Sequence, residues 1–92
     1  MKVRVKFFST FKELFGGDER TVELGGRAGV PDLLTSLCDS RDECRRALLD
    51  DSGKLRRDIK LMKKGKDIEI LSEASRLSDG DVVLMFPTIF GG

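Results

Sequence analysis

The residues with the clearest chemical potential close the sequence: Ile89-Phe90-Gly91-Gly92. A Gly-Gly end carries no Cβ and can thread a passage too narrow for any other residue. The expected free α-carboxylate of Gly92 has a reference pKa of about 3.3–3.7, so it is ionised at neutral pH. A carboxylate is a poor electrophile until activated, and a slender one is a good substrate for an activating enzyme. Taken alone, the dipeptide reads first as a frayed end or an expression scar. Its weight comes from the elements before it. Val82-Val83-Leu84-Met85-Phe86 reads as a strand, and Pro87 stops the strand pattern because it fixes φ and has no N–H for a ladder.

Other reactive groups are scarce. The chain has no His, Trp or Tyr, and its two cysteines, Cys38 and Cys44, do not form a C-x-x-C pair. No Cys/His metal set can be assembled, and no nucleophile–base pair stands out. Both cysteines fall in helical stretches and read as buried, inert thiols. A disulfide between them suits the spacing but is disfavoured in a reducing cytosol.

Composition narrows the classes. Ninety-two residues make one small domain with room for a single core. A net charge of +1 gives no basic field for nucleic acid. No apolar run approaches the roughly 20 residues of a membrane helix, and the alternating start lacks a signal-peptide core. A cytoplasmic location is the expectation.

The elements that must position the tail follow from periodicity. Val3, Val5 and Phe7 alternate with Lys2, Arg4 and Lys6, which predicts a half-buried strand. Phe11, Leu14 and Phe15 can cover a core edge before a turn at Gly16-Gly17-Asp18. Arg20–Leu24 reads as a second strand in a hairpin with the first. Pro31 suits a helix start, and Leu33, Leu34, Leu37 and Cys38 form one apolar stripe. Ser40 with Glu43 has the capping-box pattern, so a second helix is expected there with Cys44, Ala47 and Leu48 inward. Ile59–Met62 is a third strand, with Ile68 and Ile70 beyond Lys64-Gly65-Lys66 as a short strand or a cover. Leu71 and Leu77 drop onto the core from a connecting turn. Ser78-Asp79-Gly80-Asp81 is a strong turn signal. The unbroken apolar run Val82–Phe86 predicts a central strand buried on both faces, parallel to the first because a helix supplies the crossover. The expected class is α+β, a mixed sheet of about four to five strands with a helix across one face. Residues 1–86 form the domain and residues 87–92 the tail.

Several stretches, in this order, carry a family resemblance. They are Val3-Arg4-Val5-Lys6-Phe7-Phe8, then Phe11-Lys12-Glu13-Leu14-Phe15-Gly16-Gly17, and Lys64-Gly65-Lys66-Asp67-Ile68. Leu77-Ser78-Asp79-Gly80-Asp81-Val82-Val83 and Phe86-Pro87 with the closing Gly91-Gly92 complete the set. The chain resembles, from end to end, the small sulfur-carrier subunit of molybdopterin synthase and its relatives, ubiquitin-like β-grasp proteins of the MoaD/ThiS type. It departs from the pattern at Lys64, where the family has Asn, at Thr88, where it often has a second Pro, and at Phe90, where a small residue often precedes the glycines.

The resemblance implies a β-grasp roll and a defined chemistry. A ubiquitin-activating-type enzyme adenylates the Gly92 carboxylate with ATP. A persulfide or sulfide then displaces AMP, leaving a thiocarboxylate that gives its sulfur to a precursor held by the molybdopterin synthase large subunit or another sulfur-accepting enzyme. On this reading the chain is a co-substrate rather than an independent catalyst. It binds no cofactor, the ATP being used by its partner. Gly91 permits threading. Phe86, Pro87, Ile89 and Phe90 contact the partner, with the tail from Pro87 reaching about 20 Å at full extension. Three alternatives stay open: a modifier joined to lysines through the same activated carboxylate, a sulfur carrier for thiamine or tRNA, and an interaction module whose Gly-Gly is never activated. Lys54, Arg56, Arg57, Lys60, Lys63, Lys64 and Lys66 form either a solvated face or a steering patch for an acidic partner.

Overall fold

A computed structural model describes residues 1–39 and 41–88. The order is β1 (Lys2–Phe7), α1 (Thr10–Phe15), β2 (Glu19–Glu23), α2 (Val30–Cys38), α3 (Asp42–Leu48), β3 (Ile59–Lys64), β4 (Ile68–Ile70) and β5 (Val82–Pro87). The five strands form one sheet in the order β2-β1-β5-β3-β4. β5 lies parallel to β1, with Val5 opposite Val83 and Phe7 opposite Met85. The other pairings are antiparallel, with Val3 opposite Val22, Leu61 opposite Met85, and Met62 opposite Ile70.

The period-2 pattern of β1 places Val3, Val5 and Phe7 in the core, and Val83, Met85, Ile59 and Leu61 join them. Helix α2 lays its stripe of Leu33, Leu34, Leu37 and Cys38 into the same cluster. At its start the Asp32 carboxylate accepts the Gly29 N–H at 2.9 Å, which satisfies one of the orphan donors at a helix N-terminus. Leu71 and Leu77 are buried, as their positions in the connecting turn predict.

Four features bear on the sequence expectation. The stretch expected only to cover a core edge forms helix α1. Phe11 and Phe15 face inward on α1, and Phe15 stacks on Phe7 with ring centroids 4.2 Å apart. Helix α3 is capped at Arg41 with no side-chain cap hydrogen bond; the expected Ser40–Glu43 box rests on Ser40, which lies outside the described residues. Ile68 and Ile70 are 64% and 60% exposed. They form the short strand β4 at the edge of the sheet, the first of the two expected alternatives, rather than a cover. β5 is central, yet only Val83 and Met85 are fully buried, while Val82, Leu84 and Phe86 are half-buried. The helices cover one face of the sheet and leave the other open.

The turn before β5 ties it to β1. The Ser78 N–H donates to the Asp81 carboxylate at 2.7 Å, and the Lys2 N–H to Asp79 at 2.7 Å. The Gly80 N–H donates to the Lys2 carbonyl at 2.8 Å, from a backbone with φ of 85°. An L side chain is disfavoured in that region, so glycine suits the turn.

Candidate functional site: the root of the tail and the open sheet face

β5 delivers the chain to the tail from the middle of the sheet. Pro87 is its last residue, one position further than the strand pattern predicts, and sits opposite Ile59. The Thr88 N–H then donates to the Asp58 carbonyl at 2.8 Å. This bond fixes the root of the tail against the residue preceding β3. A cavity of about 230 Å³ adjoins the root, with Phe11, Leu14, Ala47, Ile59 and Pro87 in its lining. Ile89, Phe90, Gly91 and Gly92 lie outside the described residues. Phe86 and Pro87 are therefore the predicted contact residues whose surroundings are defined.

Phe86 sits on the open face. The Phe8 ring meets it edge to face, with centroids 5.9 Å apart and planes at 89°, a favourable quadrupolar geometry. Phe8 itself is 39% exposed. Along β5, alternation puts Leu84 and Val82 on the face of Phe86. Register extends the apolar strip from Leu84 to Met62 and on to Ile70. Lys6 stands opposite Leu84, Lys60 opposite Phe86, and Arg4 and Lys64 opposite Val82. The result is an apolar strip bordered by cations, running across the sheet on the strand that leads into the tail. Contiguous exposed apolar surface rimmed by polar groups marks interaction sites.

The sequence reading reached Phe86 but not Phe8, Met62, Leu84 or Ile70. The signal was available: if Val83 and Met85 face the core, then Val82, Leu84 and Phe86 must face away, and that face carries more apolar bulk than water requires. The basic stretch is divided by the fold. Arg56 pairs with Asp58 at 3.2 Å, and Lys63 with Glu69 at 3.7 Å and Asp81 at 3.9 Å. Lys60 and Lys64 remain on the open face.

The cysteines are buried, as expected. Among the described residues no group of three or more His, Cys, Asp or Glu could hold a metal ion. Burial pushes the Cys44 thiol up to about 12, reinforced by the adjoining Cys38. A thiol raised in the folded state is neutral there while the unfolded chain ionises. That contribution to stability is complete below the ordinary value of 9.0 and is lost as pH rises towards about 12. Denaturant titrations of the fully reduced protein across that window should therefore show falling stability. Cys44→Ala should lack this part of the slope, and identical slopes in the two proteins would contradict it.

Comparison with known proteins decides the family. The ThiS family model matches residues 5–92. The chain belongs to the ThiS family. Small archaeal modifier protein 3 of Haloferax volcanii is 32% identical over 93 residues, covering all of both chains. The crystal structure of small archaeal modifier protein 1 from the same organism superposes with a TM-score of 0.85 at 25% identity, again over the whole of both chains. A Pyrococcus furiosus protein assigned as molybdopterin converting factor, subunit 1, has a TM-score of 0.75 and 32% identity, over 97% of this chain and 99% of that one. The fold is thus the ubiquitin-like β-grasp, and the family is one of ubiquitin-like sulfur carriers and modifiers. Among the described residues no helix is long and apolar enough to cross a membrane.

Proposed function

We propose that this ThiS-family chain is a sulfur carrier whose Gly92 carboxylate is adenylated by a ubiquitin-activating-type enzyme and converted to a thiocarboxylate. The sulfur then passes to a precursor in molybdopterin synthesis, on the large subunit of molybdopterin synthase. The observation that carries this reading is a central strand, β5, that ends in a tethered Pro87-Thr88 root directly before Ile89-Phe90-Gly91-Gly92. The likeness to molybdopterin converting factor, subunit 1, supports the choice of acceptor. An equally close relative is a small archaeal modifier protein, which supports a second reading: transfer of the activated carboxylate to lysines. The first step is common to both. The carboxylate oxygen attacks the α-phosphate of ATP, pyrophosphate leaves, and the acyl adenylate becomes open to sulfide or to an amine.

Incubation with ATP, the cognate activating enzyme and a sulfur donor should replace one terminal oxygen by sulfur in the intact mass. Accumulation on lysines instead would favour the modifier. An absence of pyrophosphate exchange into ATP would remove both readings and leave an interaction module.

The open face is the natural docking surface for these enzymes, and its chemistry calls for an apolar partner surface with acidic groups at its rim. Buried aromatic anchors carry disproportionate binding energy. Phe86→Ala or Phe8→Ala should weaken affinity for the activating enzyme by about 30-fold, equivalent to about 2 kcal/mol, with the circular dichroism spectrum unchanged. Phe90→Ala belongs in the same titration. Unchanged affinity in all three variants would remove the anchor role.

A further inference from the structure

Cys38 and Cys44 are a buried pair of thiols with no part in the tail chemistry. Cys38 is the last residue of α2, and Cys44 lies on α3. Asp39 turns the chain with φ of 42°, and the Arg41 N–H donates to the Cys38 carbonyl at 2.8 Å. This connection brings the two sulfurs to 2.6 Å. Even two carbon atoms rest at about 3.5–4.0 Å, so unbonded sulfurs are crowded here. A disulfide bond measures about 2.05 Å, roughly half an ångström less than the present separation. Both residues are within the main core cluster, 1% and 0% exposed.

We propose that Cys38 and Cys44 form an intramolecular disulfide that fastens α3 to α2. This inference stands apart from the proposed tail chemistry. Its structural consequence lies close to the tail: Ala47, on α3, lines the cavity beside Pro87, so the bond braces one wall at the tail root. The oxidant is a low-molecular-weight disulfide. One cysteine thiolate attacks a sulfur of that molecule, expels a small thiolate and becomes a mixed disulfide. The second cysteine thiolate attacks the protein sulfur and expels the other small thiolate. The two cysteines lose two electrons, the small disulfide gains them, and the cysteine protons end on the two released thiols. Burial keeps the Cys44 thiol protonated in the closed protein, so exchange takes place during folding or when the α2–α3 corner opens. The same burial shields the finished bond from reducing thiolates.

The test uses the wild-type full chain, refolded from denaturant with oxidised glutathione and then alkylated under denaturing conditions. Intact mass should show no alkyl groups and the loss of two hydrogens. Two alkyl groups, or stable glutathione adducts, would overturn the bond. Dithiothreitol should reduce the oxidised protein much more slowly without denaturant than with it, and equal rates would overturn its buried placement. Amide exchange in α3 should be several-fold slower in the oxidised than in the reduced protein. Equal exchange would overturn the bracing of α3.

Discussion

Leu37→Ala is expected to destabilise the protein by about 2–5 kcal/mol, the range for truncating a buried leucine. Leu37 is fully buried, and it belongs to the cluster that joins α2 to β1, β3 and β5. Its removal withdraws apolar surface and leaves a cavity beneath the only long helix among the described residues. A small domain has a total stability of about 5–15 kcal/mol, so the variant should approach the limit of folding. Chemical denaturation with an unchanged m-value measures the effect. A change well under about 1 kcal/mol would show that the stripe does not carry the core. The prediction also bears on function, because the core holds β5 in place and β5 ends at Pro87, directly before the tail in the sequence.

The second large effect concerns the tail and leaves the fold intact. Deleting Gly92, or appending one residue after it, should lower pyrophosphate exchange with the activating enzyme by more than about 10²-fold, since errors of about 1 Å in the position of a reacting group cost that much. The appended residue also places a side chain where the Gly-Gly end has none. The denaturation midpoint should not change, because the tether from Thr88 to Asp58 and the pairing of Pro87 with Ile59 lie upstream of the alteration. Adenylation of the truncated protein at the wild-type rate would remove Gly92 from both the carrier and the modifier chemistry. A shifted midpoint would assign the tail a structural role instead.

Much of this architecture is legible in the amino-acid order because it depends on short-range regularities. The alternation of Val3, Val5 and Phe7 determines a half-buried strand, and the helical spacing of Leu33, Leu34 and Leu37 determines the face that α2 buries. Ser78–Asp81 determines a turn through side chains that bond their own backbone. The stretches from Val3 to the closing Gly91-Gly92 determine the family. Tertiary structure decided the rest, because those features depend on which segments meet across long sequence separations. The run Val82–Phe86 marks a central strand, but only the stacking of helices on one side leaves Val82, Leu84 and Phe86 on an open face. Met62 and Ile70 join Leu84 and Phe86 in one strip through the pairing of β5, β3 and β4, a register that local periodicity does not contain, and Phe8 meets Phe86 edge to face. In the sequence Cys38 and Cys44 read as buried thiols whose spacing allows a disulfide without deciding whether the sulfurs meet. The turn between α2 and α3 brings their sulfurs together, and so decides which chemistry is open to them.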